Sequence, residues 1–387
     1  MASTWIVYAK ELVDALRDRR TLLTVLLSSV AMGPLVLALL SSLVGSMERR
    51  AEARVLVVAG LEHAPTLANY IARQTYTVRT APADYEAQLR GSRLGDPVLV
   101  VAADFEAALQ RGESPRMEVV SSSSNQRAQA GAGAAVRLLR GFAQEQATLR
   151  LALRGVAPAL VEPLRIDERD LADVGARAAQ LTRIVPFFVL MAVLYGALNA
   201  ALDSTAGERE RGSLEPLLMN PAPQWALVLG KWAAVASVAM AVAVLSCASF
   251  LPGQWLLRSE TLAALFRFGI GEAGRFVALL LPLAGALAAV LMAVAIRCRS
   301  VKEAQASATV VMLAVTLLPM MALFNQEGEQ PWQLWVPALA QMTLMSRVLE
   351  GAPLPARDLL VALAACVLVT ALALAYVARR LRHAASA

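Results

Sequence analysis

The stretch GERERGSLEPLLMNPAPQWALVLGK, from Gly207 to Lys231, gathers the side chains best suited to specific work. Glu208, Arg209, Glu210 and Arg211 form a turn of alternating charge, and Gly212 breaks the chain after it. Ser213, Leu214, Glu215, Leu217 and Leu218 then read as a short helix, which Pro221 and Pro223 stop because proline lacks the amide a helix needs. Carboxylates and guanidinium groups in alternation can pair, and a short helix with apolar knobs inside a charged collar suits docking into a groove of another protein. A solvated loop would have the same composition, so the neighbouring elements must decide between the two.

Other chemistries lack their parts. A phosphate-binding loop needs G-x-x-x-x-G-K-[ST]; the nearest string, around Gly230–Lys231, is followed by Trp232 and lacks both the glycine partner and the hydroxyl. The motif GxSxG of a serine hydrolase does not occur. His63 and His383 are isolated, neither lies in an apolar run, and no metal set is expected. Cys247, Cys298 and Cys366 are far apart and lie in or beside apolar segments, so no disulfide framework or CxxC site exists. The chain is therefore not expected to be an enzyme or to bind a cofactor.

What positions the charged stretch is a set of long apolar runs. The chain has 387 residues, of which 57% are hydrophobic and only 17% charged. Its mean hydropathy is +0.54. Soluble domains carry about 45–50% apolar and about 25% charged residues. A membrane span needs about 20 apolar residues, and six segments qualify: Thr21–Val44, Ile184–Leu202, Ala233–Leu251, Phe276–Ile296, Ala304–Phe324 and Leu359–Val377. The net charge of +6 does not point to nucleic acid, because no basic stretch interleaves with aromatic residues as base stacking requires. Instead the basic residues flank the spans. Arg17, Arg19 and Arg20 precede the first; Arg209, Arg211 and Lys231 lie between the second and third; Arg297, Arg299 and Lys302 between the fourth and fifth; Arg379, Arg380 and Arg382 follow the sixth. The positive-inside rule puts all of these in the cytoplasm, with both termini. Arg258 and Arg267 on the opposite side make the bias incomplete.

The expected fold class is a mostly α polytopic membrane protein, six transmembrane helices with an inserted α/β extracytoplasmic domain. Residues 1–20 form an amphipathic helix on the inner surface, with Trp5, Ala9, Leu12, Val13 and Leu16 on one face and Lys10, Glu11, Asp14, Arg17 and Asp18 on the rest. Residues 21–44 are the first span. Residues 45–183 are the outer domain, with strands at Arg54–Ala59, Thr75–Arg79, Pro97–Ala102 and Met117–Ser121. Helices alternate with them at Pro65–Arg73, Ala83–Gly91, Ala103–Gly112 and about Gln126–Arg154. Residues 184–377 hold the other five spans, interrupted by the loop at 207–223, and 378–387 are a cytoplasmic tail. Val336–Met345 is apolar but too short to span, which fits an interfacial or re-entrant segment. Trp225, Trp232 and Trp255 bracket the third span as interfacial anchors, and Lys231 can snorkel toward headgroups. Polar residues in or beside the spans, Asn199, Lys302, Glu303, Gln305 and Gln341, are candidates for a substrate pathway, although packing and interhelical hydrogen bonds account for most such groups.

The loop resembles the coupling-helix signature of six-span ABC exporter permeases, E-R-E-x-G-[ST]-x-E-x-L-L-x-x-P. Glu208, Arg209, Glu210, Gly212, Ser213, Leu214, Glu215, Leu217, Leu218 and Pro221 all match it. The layout, with KELVDALRDRRTLL leading into the first span and RSVKEAQ at Arg299–Gln305, is similar to the sodium-export (NatB-like) permease branch. The resemblance implies a separate nucleotide-binding ATPase subunit that holds the ATP and magnesium and receives the loop in a cleft. It also implies a second permease subunit, identical or not, a bacterial-type inner membrane, and efflux of sodium or a hydrophobic, drug-like substrate. A non-transporting scaffold or sensor with a partner-binding outer domain is the alternative, and it gives no reason for the docking helix.

Overall fold

The computed structural model describes residues 2–17, 19–157, 182–213, 223–257, 262–263, 266, 268–324 and 329–386. The chain divides into two compact units, one of residues Met1–Val44 with Leu171–Ala387 and the other of Gly45–Asp170.

In the first unit, six helices are long and apolar enough to cross a membrane: Leu27–Ser46, Ile184–Glu210, Gln224–Leu256, Ile270–Ala295, Val301–Leu323 and Ala356–Arg382. They fit a multi-pass membrane protein. The helices are α1 (Ala2–Arg17), α2 (Arg19–Ala53), α7 (Ile184–Leu202), α8 (Gln224–Gly253), α9 (Ile270–Ala295), α10 (Val301–Phe324), α11 (Leu339–Glu350) and α12 (Ala356–Ser386), of which α1 and α11 carry none of these six segments. Helix α9 sits at the centre, packed on α7, α8, α10, α11 and α12. Phe276, Leu280, Leu283, Leu287 and Leu291 fill the core from it. Its start is fixed by Glu272, whose carboxylate accepts the Gly269 amide at 2.9 Å.

Close approach between the spans is set by small residues, as expected where lipid gives helices no hydrophobic reason to associate. Gly196 of α7 faces Val242 of α8, and a Cβ there would lie 2.9 Å from the valine Cγ2. Gly33 of α2 donates its amide to Ser249 Oγ of α8 at 3.1 Å. Trp232 donates to the Gly285 carbonyl at 2.8 Å, so it is a packing residue between α8 and α9, whereas Trp225 and Trp255 are exposed at the ends of the span. Helix α10 is the least covered of the six spans, with Val310 72% exposed. The short helix α11 is buried in the bundle rather than lying at its surface. Gln341 starts it by accepting the Ala338 amide at 2.9 Å, and Gly351 ends it at φ +69.

The second unit is a four-stranded sheet in the order β2-β1-β3-β4, with β1 (Val55–Ala59) parallel to β2 (Thr77–Thr80) and β3 (Val98–Val101), and β4 (Met117–Val120) antiparallel to β3. Helices α3 (Pro65–Arg73), α4 (Tyr85–Arg90), α5 (Phe105–Gln110) and α6 (Gln126–Leu153) complete it. Valine and leucine runs make the two inner strands, as buried parallel strands require. Asp104 stands at the N-cap position of α5 without bonding the helix amides, whereas the Asn125 side chain does cap α6, accepting the Ala128 amide.

Candidate functional site

Helix α7 does not end where its apolar run ends. It continues through a π-helical turn at Asp203–Gly207 into a last α-turn at Glu208–Glu210. The alternating charges therefore sit on a helix rather than in a free loop. Gly212 closes that helix at φ +68 with no atom within 4 Å of where a Cβ would be, so backbone conformation alone calls for glycine. The Gly212 amide bonds to the Arg209 carbonyl and the Ser213 amide to the Glu208 carbonyl, at 3.1 and 3.0 Å. That pair of bonds is a Schellman cap, and Ser213 Oγ adds a third bond to Glu208 O at 3.2 Å. The sequence E-R-E-R-G-S thus encodes a helix stop at a defined point.

The three residues of the last α-turn, Glu208 to Glu210, each hold a different part of the bundle. Glu208 is only 6% exposed, and its two carboxylate oxygens accept from Lys231 Nζ of α8 at 2.6 Å and from Lys10 Nζ of α1 at 2.9 Å. Arg209 donates to the Cys298 carbonyl between α9 and α10 at 3.2 Å. Glu210 accepts the Val301 amide at 2.7 Å, at the first turn of α10, where carboxylates favour the free amides and dipole of a helix start. Side chains of successive helical residues point about 100° apart, so a three-residue turn can hold three neighbours at once.

Lys231 is the centre of the buried part. It is 4% exposed and donates to Glu208, to Glu11 Oε1 at 2.8 Å and to the Ser204 carbonyl within the π turn at 2.9 Å. All three ammonium protons are used. Lys10 also reaches Glu11 at 3.0 Å and, on its exposed side, Asp14 at 3.6 Å, so the buried Lys231, Glu11 and Glu208 are joined through Lys10 to the surface of α1. Burial opposes the charge on Lys10, but the hydrogen bonds it donates to Glu208 and Glu11 outweigh that and hold its ammonium above the usual lysine range. Lys231 does not snorkel, and Glu11 faces inward instead of joining the solvent-facing side of α1. Helix α1 turns Val7 and Glu11 toward α8 and leaves Trp5, Ile6, Val13 and Leu16 exposed. Gly230 permits the contact: a Cβ there would meet Val7 Cβ at 2.7 Å and the Thr4 carbonyl at 3.0 Å.

Leu214, Glu215, Leu217, Leu218 and Pro221, the apolar knobs and collar of the short helix read from sequence, lie outside the described residues. The candidate pathway residues do not converge. Asn199 is half-buried on α7, Gln341 is a buried helix cap that also donates to Cys366 Sγ at 3.3 Å, and Lys302, Glu303 and Gln305 are exposed near the start of α10. Glu303 accepts the Arg299 amide at 2.8 Å.

Six helices long and apolar enough to cross a membrane, with a charged helix stop bonded to α1, α8 and the α9–α10 link, fit a polytopic membrane protein. The chain matches the family described as "ABC-2 family transporter protein" over residues 5–381, and it belongs to that family of ABC transporter permeases. It is 27% identical over 336 residues, 84% of this chain and 83% of the relative, to the ABC transporter permease protein NatB of Bacillus subtilis (strain 168). Membership implies an ATPase partner subunit.

Proposed function

We propose that this chain is the membrane-spanning half of an exporter, and that the loop at 207–223 docks on the partner ATPase from the cytoplasmic side. In this reading both termini are cytoplasmic and residues 45–183 are extracytoplasmic. ATP and magnesium are held by the partner alone. Leu214, Glu215, Leu217, Leu218 and Pro221 make the docking surface. Glu208, Arg209 and Glu210 pass its movement to α1, α8 and the α9–α10 link. A second permease subunit, identical or homologous, lies against the exposed apolar side of α10.

The observation that carries the proposal is the three-way attachment of the Glu208–Glu210 turn. A docking segment joined to the spans by free chain could move without moving them; one that follows directly on a turn bonded to three elements pulls on all three.

The cargo follows from the branch resemblance: sodium, or a hydrophobic drug-like compound. Charge reversal at Glu215 in the complex tests docking by lowering co-purification of the ATPase. Full recovery of the ATPase with the reversed residue would remove the loop from the interface. Inverted vesicles carrying the complex, loaded in parallel with labelled sodium and with a hydrophobic dye, identify the cargo by which one ATP drives.

A further inference from the structure

An apolar groove of about 350 Å³ runs between α9 and α12, lined by Val290 and Val294 on one side and Val369 and Leu372 on the other. Arg297 and Tyr376 stand at one end of it. Leu372 is 64% exposed, so the groove opens on the outer surface of the bundle. Past Tyr376, Arg380 lies over the tyrosine ring with its guanidinium 5.6 Å from the centroid, and its Nε donates to the tyrosine hydroxyl at 3.1 Å. Arg297 is exposed as well, and among the described residues neither it nor Arg380 has a carboxylate within salt-bridge distance. The long axis of the groove thus passes from a hydrocarbon slot to two cationic heads and a phenol.

We propose that this groove is a binding site for one anionic phospholipid, an acyl chain between α9 and α12 and its phosphate between Arg297 and Arg380. The chemistry matches at both ends. An acyl chain gains nothing by leaving bulk lipid for an apolar slot, so selectivity must come from the head, where two arginines favour an anionic over a zwitterionic lipid. Guanidinium groups pair with phosphate through two parallel hydrogen bonds, and the fixed position of Arg380 over Tyr376 lowers the entropic cost of holding it there. Placing the head in the inner leaflet rests on the orientation proposed above, which puts the ends of α9 and α12 in the cytoplasm. A lipid bound there would bridge the link that Arg209 holds to the helix that ends the chain, giving membrane composition a hold on the coupling apparatus.

The test uses the full chain purified in detergent and equilibrated with equal amounts of phosphatidylglycerol and phosphatidylcholine, with retained lipid read by native mass spectrometry. One phosphatidylglycerol per chain is expected in preference. The double variant Arg297→Ala/Arg380→Ala should retain it roughly ten-fold to thirty-fold less, Arg297→Lys/Arg380→Lys should keep much of the preference, and Leu372→Trp should block retention by filling the slot. Equal retention of the two lipids, or unaltered retention in the double alanine variant, overturns the site. Orientation is read separately: an Arg297→Cys variant should react with a membrane-impermeant maleimide only in inverted vesicles. Reaction from the opposite face would overturn the inner-leaflet placement without touching the lipid result.

Discussion

Lys231 Nζ lies 2.6 Å from Glu208 Oε2, across the gap between the helix that enters the charged loop and the helix that leaves it, and Glu11 of the N-terminal helix lies on the other side of the same ammonium at 2.8 Å. One buried cation therefore joins three segments that are up to 220 positions apart in the chain. A buried ion pair is weak evidence of net stability, because desolvation takes back much of what attraction gives. Its strength lies in what happens when one partner is lost.

Glu208→Gln or Lys231→Met leaves one charge in excess in a buried site, softened by the pairs Lys231–Glu11 and Lys10–Glu208 that survive, and should destabilise the protein by up to about 3–5 kcal/mol. A thermal melt in detergent measures this. The paired variant Glu208→Gln/Lys231→Met should melt higher than the sum of the two losses would allow, since removing one charge of each sign restores the balance. Additive losses would mean that the two side chains do not interact.

Gly230→Leu should separate α1 from α8. Even the alanine Cβ would overlap Val7 and the Thr4 carbonyl, so Gly230→Ala should cost about 1–3 kcal/mol and the leucine more. The melting temperature of both variants and the reactivity of an engineered Glu11→Cys read the outcome. A wild-type melt with leucine at this position would contradict the packing.

Ala338 adopts φ +73 and ψ −47 while 1% exposed, ahead of helix α11. Values of this kind lie near a strained γ-turn and are costly for any residue with a Cβ. Ala338→Gly should raise stability by up to about 1 kcal/mol, against the usual loss of a buried methyl group. A clear fall in melting temperature would show that the methyl packing outweighs the strain.

Much of this was legible in the chain. Runs without charge announced the six spans, because no other pattern needs twenty apolar residues. The valine-rich strands of the small sheet and the helices between them are readable from short apolar runs bounded by turns, and the strand expected at Thr75–Arg79 lies at Thr77–Thr80, on the parallel edge. The glycine and serine after E-R-E-R stand out as a motif, and their role as a Schellman cap is visible only in the backbone. The charge cluster was not legible. Helical periodicity sorted Glu11 with Lys10 and Asp14 on a polar face, but it cannot say which part of that face meets another helix. Lys231 at a span end has the same local sequence whether it reaches for headgroups or for a buried carboxylate. Gly230 beside it carried the available hint, since a glycine within an apolar helix marks a place where another backbone comes close.

Whether the charged helix stop transmits movement is tested most directly by the ratio of cargo exported to ATP hydrolysed. The variant Arg209→Ala/Glu210→Ala cuts the hold on the α9–α10 link and on the start of α10, while the buried Glu208–Lys231 pair stays intact. Because these bonds lie near the surface, the complex should still assemble, melt within about 1–2 kcal/mol of wild type and hydrolyse ATP. In inverted vesicles, with whichever of sodium or dye the wild-type complex moves, export per ATP should fall several-fold. An export ratio equal to that of the wild type would contradict the account.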